Sequence, residues 1–204
     1  MVHASELMAY EDKLRAEGCA YICGVDEVGR GPLAGPVTCA AVIMPLDALI
    51  EGVNDSKKVS KKKRERLAEE IKKNAVAYSV VSYDNAVIDD MNILNATKAC
   101  MRDAIMSLSV TPDVVLIDAV KLDLPVRTVS VVHGDALSYS IAAASIIAKV
   151  HRDAFMAEMD EKFPGYGFSR NAGYGTAEHI AALKSLGATP IHRRTFIKNF
   201  VEAE

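Results

Sequence analysis

The 204-residue sequence predicts an α/β fold, a mixed sheet flanked by helices. Three observations carry that prediction. Five short runs rich in β-branched and apolar residues recur at 21–25, 37–44, 75–83, 114–118 and 126–132. Segments of helical period separate the later runs. The first three strands come early and helices alternate with strands only afterwards, so the sheet is expected to mix strand directions.

Residues 8–18 read as a short polar helix and 21–25 as the first strand. Asp26-Glu27-Val28-Gly29-Arg30-Gly31-Pro32 is turn-rich and joins that strand to 37–44. Ser60 is placed to cap a helix running to about Asn74, with Leu67 and Ile71 on one face. The strand at 75–83 follows. Leu94, Thr97, Met101, Ile105 and Leu108 recur at three- and four-residue steps, an amphipathic helix. Val114-Val115-Leu116-Ile117-Asp118 is a continuous apolar run, as suits a strand covered on both faces. After 126–132, residues 136–159 are helical and rich in alanine, so this helix can approach a sheet closely. Residues 165–175 read as loop and 176–186 as a last helix. No linker divides the chain, so 1–204 is expected to be one domain, with about 165–204 forming a small C-terminal helical lobe.

Half of the residues are hydrophobic and a quarter charged, which excludes disorder and low complexity. No apolar run approaches the ~18 residues of a membrane span. Met1 to Arg15 carries Glu6, Glu11 and Asp12 and does not resemble a signal peptide. The expected location is cytoplasmic, with Cys19, Cys23, Cys39 and Cys100 reduced. Nothing after Phe200 reads as a partner-binding tail. Net charge is 24 − 27 = −3, yet 57–66 holds seven basic residues against Glu65 alone. Residues 180–200 hold Lys184, Arg193, Arg194 and Lys198 with no acid. A polyanion responds to such local patches rather than to the total.

Four acids stand where acids are costly. Asp26 and Glu27 follow an apolar strand, Asp118 ends another, and Asp135 precedes the long helix. Each has a plain alternative: Asp26 or Glu27 pairing with Arg30, Asp118 capping a turn, Asp135 capping the helix. Taken together they suggest one site at a sheet edge. Carboxylates gathered there need a divalent cation, and an all-oxygen set selects Mg²⁺ or Mn²⁺ over zinc. One conflict stands: neighbouring strand residues face opposite sides, so Asp26 and Glu27 share a site only if the chain turns at Gly29 and Gly31.

Gly24 to Gly31 lacks the Lys and Ser/Thr of a nucleotide-binding P-loop. Gly29-Arg30-Gly31 offers backbone N–H groups and a guanidinium for a close backbone or sugar contact; a plain tight turn is the other reading. The run containing Lys57 is either a solvated helix face or, after Asn54-Asp55-Ser56, a phosphate seat. Arg193, Arg194 and Lys198 carry the same ambiguity. Tyr174 is either packed on the core or an exposed stacking ring. His192 is either a general acid or a packing residue.

These residues resemble one family. Gly24-Val25-Asp26-Glu27-Val28-Gly29-Arg30-Gly31-Pro32-Leu33-Ala34-Gly35-Pro36-Val37 is similar to the opening signature of type 2 ribonucleases H. So are Asn54-Asp55-Ser56-Lys57-Lys58, Asp118 closing its strand, Gly134-Asp135-Ala136 with the helix containing Ser140, Ser145 and Lys149, Gly173-Tyr174-Gly175-Thr176, and His192-Arg193-Arg194-Thr195-Phe196. Thr195 stands where serine is common in the family. The likeness spans about 21–200.

The resemblance implies a ribonuclease H-like mixed five-stranded sheet with a small C-terminal helical part. It implies an endoribonuclease that hydrolyses the RNA strand of RNA–DNA hybrids and cuts 5′ of ribonucleotides embedded in duplex DNA, leaving 3′-hydroxyl and 5′-phosphate. Asp26, Glu27, Asp118 and Asp135 would bind Mg²⁺ or Mn²⁺, two ions during catalysis. Gly29, Arg30 and Gly31 would contact the ribonucleotide 2′-OH, and Tyr174 the deoxyribose on its 3′ side. Lys57, Arg193 and Arg194 would bind substrate. A monomer is expected. A non-catalytic nucleic-acid-binding module and a nuclease of other specificity are the alternatives.

Overall fold

A computed structural model of the chain describes residues 4–201. The first three residues of the Met1–Arg15 segment, the outermost ends of the 1–204 span and the chain end after Val201 lie outside the described residues.

Five strands, β1 (Ile22–Val28), β2 (Val37–Ile43), β3 (Ala77–Tyr83), β4 (Val114–Asp118) and β5 (Arg127–Val131), form one sheet in the order β3-β2-β1-β4-β5. β2 runs antiparallel to β1 and β3, while β4 is parallel to β1 and β5. The sheet is therefore mixed and five-stranded, as expected. β1 and β4 are central and buried on both faces, which is why they read as near-continuous apolar runs.

Helices α1 (Ala9–Ala16), α2 (Lys61–Asn74), α3 (Asn85–Met91), α4 (Ile93–Met106) and α5 (Tyr139–Lys162) flank the sheet. α4 buries Cys100, Met101, Ala104 and Ile105 with Cys23, Val25, Val115 and Ile117 on one face. α5 covers the other. Its Ala142, Ala143, Ala144 and Ala148 are fully buried, and Gly24 meets the first turn of the helix from the sheet. A β-carbon on Gly24 would lie 2.0 Å from the Ser140 carbonyl carbon, so only glycine lets helix and strand come this close. Ser138 caps α5 by accepting from Ile141 N–H. Buried Glu11 of α1 accepts from the Ser138 hydroxyl (2.6 Å) and the Ser140 N–H (2.9 Å), fastening α1 to the start of α5.

Some boundaries differ from expectation. β1 continues through Asp26 and Glu27 to Val28 because that stretch pairs with Thr38–Ala40 of β2. α3 is an additional helix, capped by Asp84; Asn92, at φ +65°, then breaks the chain and caps α4. α5 begins at Tyr139, since 134–136 is a separate 3₁₀ turn. Ser60 occupies the α2 N-cap position without a side-chain cap bond. Within the segment read as loop, 168–171 forms a one-turn helix, α6 (Phe168–Asn171).

α6, α7 (Ala177–Leu186) and α8 (Arg194–Ile197) make the C-terminal part. The 29–36 segment joins it to the sheet: Leu33 N–H donates to Gly173 O (2.8 Å), Gly35 N–H to Ile191 O (2.9 Å), and Arg193 N–H to Leu33 O (2.9 Å). No described helix is long and apolar enough to cross a membrane.

Candidate active site

The pairing Val25↔Ile117 between parallel β1 and β4 puts Asp26 beside Asp118 in the next register position. Both lie on the α5 face, because Gly24, two residues before Asp26, abuts Ser140. Gly134 N–H donates to Asp118 Oδ1 (2.7 Å), which draws the 134–136 turn and Asp135 to the same edge. Asp135 does not cap α5; Ser138 does. Residues 92 apart in sequence thus meet through sheet pairing, and the third acid joins through one hydrogen bond.

Glu27 corrects the expectation that the chain turns to bring it to the same face. β1 stays regular, so Glu27 points to the opposite side, toward α4. There Arg30 Nη1 donates to its Oε1 (3.4 Å), while its Oε2 is buried with no hydrogen-bond partner among the described residues.

Burial, with repulsion from Glu27 and Asp118 next, raises the Asp26 carboxyl well above the ordinary carboxylate range. Burial pushes Glu27 up to about 7 despite the nearby Arg30 charge. Burial also raises Asp118, against the Gly134 N–H bond. Burial thus favours the protonated form of each, and carboxyls perturbed in this way gather at sites built for chemistry. Lys57 Nζ donates to Asp135 Oδ2 (3.1 Å), and this bond raises the lysine pKa. The donor set is oxygen only, and the orphaned Glu27 oxygen and the three raised carboxylates fit a hard divalent cation in kind. Among the described residues, however, no group of three or more His, Cys, Asp or Glu side chains is arranged to hold a metal ion as placed. Arg30, Gly134 and Lys57 each occupy a different acid instead.

Arg30 and Gly31 are exposed beside this edge. Tyr174, 46% exposed, is not packed on the core, and its ring stands near Gly31. Arg194 is exposed, with its N–H on Asp89 Oδ2 (2.7 Å). Arg193 corrects the expectation of a substrate contact. It is fully buried and its guanidinium donates to the carbonyls of Gly29, Arg30 and Gly35. His192 is buried too, with Nδ1 on Thr189 and Nε2 on His179 Nε2 (3.0 Å), a packed and hydrogen-bonded position. Asp55 serves a local purpose, capping the 56–58 turn through Lys57 N–H (2.9 Å).

Sequence reasoning missed two features. Arg152, read only as part of an alanine-rich helix, is fully buried and donates to Pro36 O, Ala172 O and Ala34 O. His179 pairs with His192 and reaches Tyr174 O through Nδ1 (2.9 Å). An arginine on an otherwise apolar helix face was the available signal for the first; the histidine pair left none.

A mixed sheet in this order, with acids at the edge of its two central strands, is the ribonuclease H-like architecture. The ribonuclease HII family model matches residues 23–199. The curated Ribonuclease HII of Ruminiclostridium cellulolyticum is 51% identical over 203 residues, covering 99% of this chain and 80% of that protein. The crystal structure of ribonuclease H2 from Pyrococcus horikoshii superposes with a TM-score of 0.73 at 28% identity, covering 86% of this chain and 93% of that one. Ribonuclease HII of Archaeoglobus fulgidus, solved in complex with PCNA, gives 0.71 at 27%, covering 90% and 98%. The chain belongs to the ribonuclease HII family, and its activity is that of a ribonuclease H-type endonuclease.

Proposed function

We propose that this protein hydrolyses the RNA strand of RNA–DNA hybrids and cuts on the 5′ side of ribonucleotides embedded in duplex DNA, leaving 3′-hydroxyl and 5′-phosphate ends. The observation that carries this reading is the buried Asp26, with Glu27, Asp118 and Asp135 as its charged neighbours, beside an exposed Arg30-Gly31 backbone. Asp26, Asp118 and Asp135, with Glu27 once its carboxylate leaves Arg30, would hold Mg²⁺ or Mn²⁺, two ions during turnover. Bound there, such ions supply an activated water and charge stabilisation at the phosphodiester.

The chain's own groups select the position. The 2′-OH is what distinguishes a ribonucleotide from a deoxyribonucleotide at one site. The backbone of Gly29, Arg30 and Gly31 comes close enough to hydrogen-bond that hydroxyl. The Tyr174 ring packs on the following sugar and favours one without a 2′-OH. Exposed Lys57 and Arg194 take backbone phosphates on either side, and Arg193 acts from beneath by holding the loop. A monomer acting as one domain is part of this reading.

The deciding test is a labelled duplex with a single ribonucleotide, incubated in Mg²⁺ or Mn²⁺ with and without chelator. A cut on the 5′ side of the ribonucleotide, abolished by chelation, is expected. An intact duplex, or cleavage elsewhere, overturns the reading.

A further inference from the structure

Two arginines that the chemistry above does not use lie fully buried, and their hydrogen-bond partners are main-chain carbonyls. Arg193 holds Gly29, Arg30 and Gly35; Arg152 holds Ala34 (3.1 Å), Pro36 (2.8 Å) and Ala172 (2.8 Å). Arg193 also lies over the Phe196 ring, 5.1 Å from its centre. Burying a cation without a carboxylate is costly. Burial lowers Arg152 to about 10, and burial together with Arg152's charge lowers Arg193 to about 9. An aliphatic side chain would fill the same space more cheaply, so the reason lies in what the two forks grip.

They grip both sides of one gap. Ala172 belongs to the turn that carries Tyr174, and Ala34 and Pro36 belong to the segment that carries Gly31. Arg152 therefore ties the two walls together. Gly29 makes room for it, since a β-carbon there would lie 2.3 Å from Arg152 Nε. Arg193 sets the orientation of one wall. In a planar trans peptide the C=O and N–H point opposite ways. With the Gly29 and Arg30 carbonyls turned inward to Arg193, the N–H groups of Arg30 and Gly31 turn away from it.

We propose that Arg152 and Arg193 are specificity-determining positioning residues: by holding three main-chain carbonyls each, they set the gap between the Gly31 backbone and Tyr174 in which the sugar 3′ of the ribonucleotide is read. This rests on the reading of that gap given above.

The test compares kcat/KM on two duplexes in the full-length protein. One carries a single ribonucleotide followed by DNA; the other pairs a continuous RNA strand with DNA, so that every ribonucleotide is followed by another. Arg152→Lys and Arg193→Lys retain the charge but replace a planar fork with a point donor. Each is expected to lower the ratio of the two kcat/KM values by about tenfold, the scale of a sub-ångström misplacement. Equal losses on both duplexes, an unchanged ratio, or proteins that fail to fold by thermal melting would make the arginines merely structural and overturn the proposal. A wild-type ratio near one is a different result: it sinks the parent reading of the gap, and this inference with it.

Discussion

Tyr174 stands beside Gly31 closely enough that a β-carbon on the glycine would lie 3.5 Å from Tyr174 Cε1, in ordinary contact. Gly29, two residues earlier, is different. Its φ is +93°, and a β-carbon there would lie 2.6 Å from Pro36 O as well as against Arg152. One glycine leaves a gap open; the other permits a backbone conformation and a close approach.

The two glycines should therefore separate stability from selectivity. Gly29→Ala is expected to destabilise the fold by about 2 kcal/mol or more, through strain and overlap. Gly31→Ala should stay within about 0.5 kcal/mol of wild type in thermal melts. It should still reduce cleavage at a single ribonucleotide. Similar melting losses for both variants would contradict this division.

Tyr174→Ala should change stability little, because the ring is exposed. Cleavage at the ribonucleotide–deoxyribonucleotide junction should slow more than duplex binding weakens. Measured side by side, equal losses in the two would count against the sugar-reading role.

Asp118→Asn keeps an oxygen for the Gly134 N–H, so it should bind duplex normally while losing turnover. Asp26→Asn should also be inactive but more stable. The raised pKa of Asp26 means that its ionised form opposes folding, so wild-type stability falls as pH rises through that pKa. Removing the charge should add on the order of 1 kcal/mol at pH 8, read from melting curves. A less stable Asp26→Asn protein would show that the carboxylate is a structural support.

The histidine pair has the opposite sign. His192 Nδ1 accepts from Thr189 N–H, so its Nε2–H donates to His179 Nε2, and His179 Nδ1–H donates to Tyr174 O. Both rings are neutral. Burial, with repulsion between the rings, lowers His192 to about 4. The unfolded chain therefore binds the proton first, and stability present above pH 6.5 is lost as pH falls toward 4, by on the order of 2–3 kcal/mol. The acids with raised pKa gain stability over the same range, so the comparison is with His192→Asn. That variant should be less stable at pH 7 and closer to wild type at pH 4.5. A constant difference across pH would refute the relay.

Local signals made most of the fold legible. Apolar runs marked all five strands, three- and four-residue steps marked α4, and alanines marked the helix that lies closest to the sheet. The Asp84 and Asn92 caps of α3 were also present, but a seven-residue helix is too short for periodicity to stand out. The four acids were identifiable because each sits at an apolar boundary, where a charge is costly. Their signature motif, and the family to which it points, are likewise written in consecutive residues.

What the chain order alone determined, then, was which segments form strands and helices, since strand and helix periods and glycine positions act over a few residues. Only the tertiary structure decided that Asp26, Asp118 and Asp135 share the α5 face while Glu27 faces α4. It also decided that Arg193 lies beneath the loop rather than on the substrate side, and that Arg152 of α5 joins two loops at once. The physical reason is the same in each case. Burial and hydrogen-bond partners depend on strand register and on segments that can lie 158 residues apart, and no short window of sequence contains both ends of such a contact.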